Sequence, residues 1–163
     1  MRFEVQQRFS RPAAAVAAVY SDPSTYERLP EFGRISRPDV LGCDRHGSVV
    51  TLRLHYRFVA DLPAAALAVI EPAKLTWVEE TRFDLGTLTA VVRLLPDHYP
   101  QKMSASARTR FVDEAPGSTR SVEGDLRVRV PLVGGRVERV VIDGLREHLT
   151  VEARLVEDLL TTG

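Results

Sequence analysis

At 163 residues, 44% hydrophobic and 27% charged, the chain can bury one substantial core but is too short for two full domains. Its 22 Lys and Arg balance 22 Asp and Glu, so no net field attracts a nucleic acid backbone or an anionic membrane, and neither is expected as a partner. The single cysteine, Cys43, excludes an intrachain disulfide and a multi-cysteine metal site. With no signal segment at Met1 and no apolar run of roughly 20 residues, the expectation is one cytoplasmic domain over residues 1–163 with no stable membrane insertion.

Phe3, Val5 and Phe9 alternate with Glu4, Gln6 and Arg8, which predicts a half-buried first strand interrupted on its apolar side only by Gln7. Ser10 is placed to cap a short helix with Pro12 in its first turn, and Asp22 with Pro23 repeats the signal for a second helix ending near Pro30. From Ile35 the period becomes two. Gly42 to Gly47 reads as a turn, followed by a long strand with Val50, Leu52, Leu54, Tyr56 and Phe58 on one face. Leu62 to Ile70 fits either an alanine-rich helical turn or a short strand; Pro63 and the Glu71 to Ala73 turn favour the strand.

Leu75, Trp77, Glu79, Thr81 and Phe83 then share one register, and Asp84 to Gly86 turns the chain into a strand whose inner row is Leu88, Ala90, Val92 and Leu94. Met103, Ala105, Ala107, Thr109 and Phe111 form the next inner row, and Ala115 to Gly117 leads towards Leu126, Val128 and Val130. After Pro131, Gly134 and Gly135 the pattern turns helical from Arg136 for about six turns. Val137, Val141, Leu145, Leu155 and Leu159 make one stripe, flanked by Val140, Leu149, Val151 and Val156, while Arg139, Arg146 and Arg154 lie away from it. Such a stripe requires a partner. The only large apolar surface available is the inner face of the strands, so an α+β domain is expected, its curved antiparallel sheet wrapped around the last helix.

The element order resembles the START-like, or SRPBCC, helix-grip superfamily across nearly the whole chain. PAAAVAAVYSDPSTYERL is similar to its first helix pair, and VPLVGGRVERVVIDGLREHLTVEARLVEDLL to its closing strand-to-helix segment. The second stretch is especially similar to a mainly actinobacterial branch known as a domain of unknown function. The resemblance implies a cavity between sheet and long helix for a hydrophobic molecule such as a lipid, sterol, polyketide or quinone; some members are cyclases or hydrolases. Small inward residues at Ala90, Ala105 and Ala107 independently leave room there, unless Tyr56, Trp77, Phe83 and Phe111 fill it. Val141 and Leu145 are the expected lining from the helix.

Two polar residues interrupt the helix stripe. His148 and Glu152, four apart, are neighbours within it, and there they act as a general base, anchor the polar end of a ligand, or form a buried network by satisfying each other or meeting Arg and Thr side chains from the sheet. Glu79 joins them if its strand keeps register; a slip of one residue puts it in solvent. His55 falls on the outer face, and His46 and His98 in turns. Arg45 and His46 are near enough to lower the thiol pKa of Cys43 if the turn allows, although an inert thiol is the simpler expectation. No metal-binding, nucleophile-elbow, phosphate-loop or dinucleotide motif is present. The leading expectation is therefore a cofactor-free carrier or sensor of a hydrophobic small molecule, as monomer or homodimer. Alternatives are a cyclase, dehydratase or hydrolase using His148 with Glu152 or Glu79, and a protein-interaction module.

Overall fold

A computed structural model describes residues 1–31, 33–68 and 70–162. Strand β1 (Arg2–Phe9) is followed by helices α1 (Ala13–Tyr20) and α2 (Pro23–Glu27), then by β2 (Asp39–His46) and β3 (Val49–Arg57). Helix α3 (Ala64–Leu67) precedes β4 (Thr76–Asp84), β5 (Thr89–Pro96), β6 (Met103–Glu114) and β7 (Gly117–Val128), and α4 (Gly134–Thr162) closes the chain. All pairings are antiparallel in the order β1-β7-β6-β5-β4-β3-β2. This is the helix-grip fold. Strands β2 to β7 form a meander, joined by short turns or loops except between β3 and β4, where the connection carries α3, and β1 completes the sheet by pairing with β7 rather than β2.

The inner rows are those the alternation predicts. Val50, Leu52, Leu54 and Tyr56 of β3 are buried, as are Trp77, Thr81 and Phe83 of β4. Helix α4 lies across this face and packs on β1, β7 and α1. Its buried positions include Val137, Ile142, Leu149 and Val156, whereas Leu155 and Leu159 remain half-exposed. The buried stripe is thus rotated slightly from the predicted one. A side chain on Gly144 would approach Cβ of Arg34 to 3.0 Å, so this glycine sets how closely α4 approaches the segment before β2.

Four local expectations change. The Leu62 to Ile70 segment contains helix α3 rather than a strand; Pro63 occupies its N-cap position, where the missing N–H costs nothing. Gly42 to Gly47 is mostly strand β2, irregular in register between Val40 and Gly42, with the turn confined to Gly47 and Ser48. Helix α1 has no side-chain cap from its N-cap residue, Pro12; Asp113 of β6 accepts the Ala13 N–H at 2.7 Å instead of Ser10. Helix α4 begins at Gly134, before Arg136, and spans 29 residues. Asp22 does cap α2, accepting the Ser24 N–H at 2.9 Å.

Candidate ligand cavity

The space between α4 and the sheet is divided into two unlike parts. Under α1 it is filled: Tyr20 packs edge-on to Phe9 with centroids 6.0 Å apart and tilted against Phe111 at 5.8 Å, beside fully buried Ala13, Val16 and Ala17. Under the middle of α4 a cavity of about 80 Å³ remains, enough for several water molecules or a small ligand. Alternating side chains explain the difference. On β6, Ala105 and Ala107 line the cavity whereas Phe111 fills the far end, and on β7 Gly124 faces Ala107. A Cβ on Gly124 would lie 2.4 Å from the Phe3 ring, so Gly124 is what lets that ring lie flat over the sheet.

The cavity walls bring together most of the predicted site. Tyr56, Trp77, Glu79, Ala105, Ala107, Val141, Leu145 and His148 line it. Phe83, Ala90 and Phe111 are buried on the same face but lie outside the lining. Glu152 also lies outside it, one layer behind. Tyr56 and Trp77 stack with centroids 5.9 Å apart and planes 19° from parallel, and the Tyr56 ring meets the His148 ring edge-on at 5.3 Å.

From this lining a buried polar network runs back to Glu152 and Gln7; its centre, Arg120 of β7, is not among the residues the sequence pattern singles out. Its Nη1 donates to Gln7 Oε1 at 2.8 Å and to Glu152 Oε1 at 3.2 Å, and its guanidinium lies 3.9 Å from the centroid of the Tyr20 ring. Gln7 in turn donates from Nε2 to the Leu149 carbonyl at 2.6 Å, fastening β1 to α4. The other Glu152 oxygen is 3.7 Å from His148 Nε2, beyond hydrogen-bond distance. His148 Nε2 is buried without a hydrogen-bond partner, as is Arg120 Nε, and both residues line the cavity.

Two signals for Arg120 were present in the sequence. Carrying the β7 alternation back from Leu126 through Gly124 and Val122 puts Arg120 on the inner face, and Gln7 breaks the apolar row of β1 at the residue paired with it. A buried guanidinium needs compensating acceptors. Gln7, Glu152 and the tyrosine ring supply them.

Burial pushes Glu79 up to about 7, with the nearby Glu152 charge adding to the effect; the Thr81 hydroxyl, donating to Glu79 Oε1 at 3.2 Å, and the Arg120 charge oppose it. Burial pushes His148 down from the usual histidine value, against the pull of Glu152 and with the help of Arg120. The two cavity groups are therefore displaced in opposite directions. A carboxyl that takes up and gives back a proton near neutrality shares the cavity with an imidazole that stays uncharged there.

The remaining candidates stand elsewhere. His55 is on the outer face and contacts Asp97 at 2.7 Å; Cys43 is exposed on edge strand β2. Its thiol is raised by desolvation and then by Asp44 and Asp22, which together outweigh the lowering pull of Arg45. Among the described residues no group of three His, Cys, Asp or Glu side chains is placed to hold a metal, and no helix is long and apolar enough to cross a membrane.

Sheet, gripping helix and the cavity between them define a protein of the helix-grip class. The chain belongs to the family described as Protein of unknown function (DUF2505), whose model matches residues 4–160. Among solved structures it is similar to TTHA0849 from Thermus thermophilus, with 16% identity, TM-score 0.68 and full coverage of both chains. It is also similar to the ZhuI aromatase/cyclase from Streptomyces sp. R1128, with 14% identity, TM-score 0.66 and coverage of 97% of this chain and 92% of that one. Norcoclaurine synthase from Thalictrum flavum has 16% identity and TM-score 0.61 over 100% of this chain and 86% of the other. No curated protein matches the chain in sequence. Likeness at these identities establishes the fold.

Proposed function

We propose that the protein binds a hydrophobic small molecule between sheet and α4, as a single domain acting as monomer or homodimer. The observation that carries this reading is a largely apolar cavity of about 80 Å³ whose lining nonetheless includes Glu79, Arg120 and His148. A filled scaffold would satisfy or omit such groups. Tyr56, Trp77, Ala105, Ala107, Val141 and Leu145 form the apolar walls, and Glu79 and His148 hold the polar end of the ligand. Phe83, Ala90, Phe111 and Glu152 support the site from outside its lining.

The test is binding of the neutral fluorescent probe N-phenyl-1-naphthylamine, with native mass spectrometry of the freshly purified protein. Saturable probe binding that is lost in Ala107→Leu, which fills the cavity, supports the reading. Failure to bind the probe, together with no co-purifying small molecule, overturns it.

A second reading is favoured by one observation, the opposite displacement of Glu79 and His148. Such a pair suits proton donation and abstraction at a carbonyl-bearing or aromatic substrate, as in a cyclase, dehydratase or hydrolase. Glu152 then acts behind His148, through its charge. Polyketide-like compounds are suitable first substrates, because an aromatase/cyclase shares the fold. Turnover that is unchanged in His148→Ala rejects this second reading.

A further inference from the structure

The polar end of the cavity carries one carboxyl group, Glu79, and one guanidinium, Arg120, and the guanidinium is already engaged by Glu152 behind the lining. Arg120 is held by Glu152 and Gln7 and is faced by the Tyr20 ring. Glu79 receives only the Thr81 hydroxyl, and among the described residues no Lys, Arg or His lies within ion-pair distance of it. The side chains paired with it across the sheet are Leu54 on β3 and Leu94 on β5. From farther off it feels Glu152, which repels, and Arg120, which attracts less than Glu152 repels; the hydroxyls of Tyr56 and Tyr26 feel its charge in turn. His148, on the same cavity lining, is lowered by burial and supplies no cation near neutrality.

Resting on the small-molecule reading, we propose that the cavity is a site for a protonated amine on an aromatic body, with Glu79 as its counter-ion. The stacked Tyr56 and Trp77 rings stand on the same walls, and Trp77 precedes Glu79 by two residues on the inner row of β4. Ring faces attract cations and carboxylates pair with them, so both features favour an ammonium group over a hydroxyl. The uncharged His148 ring stands on the same lining and puts no competing cation there. A carboxylate ligand, by contrast, would face Glu79, while Arg120, the guanidinium of the lining, is committed to Glu152 behind it.

Binding of the ammonium group holds Glu79 in its ionised form, so protons leave the protein on binding wherever Glu79 is protonated beforehand. Its carboxyl titrates at about 7 in the free protein. Affinity for an amine therefore rises about tenfold from pH 6 to pH 8 and then levels off, while affinity for a neutral analogue falls or stays flat.

Calorimetry with the near-isosteric set 2-phenylethylamine, 2-phenylethanol and phenylacetate on the full chain tests this without any substitution. Expected is binding of the amine about tenfold to a hundredfold more tightly than the alcohol at pH 8, no detectable phenylacetate binding, and proton release near pH 7. Glu79→Gln should bring amine and alcohol to within about threefold of each other and remove the proton release. Equal affinity for amine and alcohol, or binding of phenylacetate, overturns the amine assignment and leaves the cavity reading standing. If none of the three binds while N-phenyl-1-naphthylamine does, the amine assignment alone fails; if the neutral probe fails as well, both readings fall together.

Discussion

The two ends of the space beneath α4 share the same inward-facing strands and differ in what those strands place there. Towards α1, Phe9, Tyr20, Phe83 and Phe111 occupy the volume, and Ala13, Val16, Ala17 and Tyr20 of α1 are fully buried. Towards the middle of α4 the rows shrink to Ala105, Ala107 and Gly124, while Glu79, Arg120 and His148 enter from three elements. One end is built for stability. The other gives up packing for space and carries ionisable groups that have to be held in place. A single strand, β6, passes through both regimes between Ala105 and Phe111.

Substitutions at the two ends of β6 separate them most sharply. Phe111→Ala should cost about 4 kcal/mol, because a buried aromatic ring leaves a void the filled end cannot close. Ala107→Leu should change stability by less than about 1 kcal/mol while abolishing probe binding, since its methyl groups enter existing space. Equal destabilisation in urea unfolding would break the distinction.

The polar network makes the next prediction. Arg120→Met strands Glu152 in the interior and should cost about 3 kcal/mol, most of it recovered in the double variant Arg120→Met, Glu152→Leu. If the double variant is no more stable than the single, Arg120 acts through packing on Tyr20 rather than through the ion pair.

The pH dependence of stability divides the same way. Glu79 has a folded pKa raised to about 7, so the native state binds more protons than the unfolded state from the ordinary carboxyl range up to there, and stability falls as pH rises through that window. His148 is lowered by burial; the unfolded state therefore binds more protons near and below the usual histidine value, and stability falls as pH drops there. Urea midpoints between pH 5 and 8.5 should lose the high-pH decline in Glu79→Gln and the histidine contribution in His148→Gln, with neither change expected from Phe111→Leu.

The smallest effect concerns α1, which closes the filled end. Asp113→Ala should cost about 1 kcal/mol by removing the acceptor of the Ala13 N–H, and Ser10→Ala should fall within about 0.5 kcal/mol of the native protein. The opposite ranking would restore Ser10 as the cap.

How much of this was legible follows from the range of each signal. Strand alternation and the 3.6-residue stripe of α4 are local, so β3 to β6 and the gripping helix could be read directly, as could the polar breaks at Gln7, His148 and Glu152. Local alternation alone does not decide between cavity and solvent for Glu79, because one residue of slip reverses every side chain; the pairing of Glu79 with Leu54 and Leu94 places it inward. Weak signals failed where competing ones were similar in size, as in the Leu62 to Ile70 segment and at the cap of α1.

The sequence by itself determined periodicity, element order and the positions where apolar faces are interrupted, because these depend on neighbours a few residues apart. Tertiary structure alone decided which interruptions meet. Gln7 and Arg120 stand opposite each other because β1 pairs with β7, 113 residues later in the chain. Arg120 reaches Glu152 because α4 crosses that pair of strands. The same long-range packing withdraws Glu152 behind the lining, leaves Glu79 without a counter-ion and places His148 on the cavity wall. No local pattern contains those distances; they arise when strands far apart in the chain come into register under one helix.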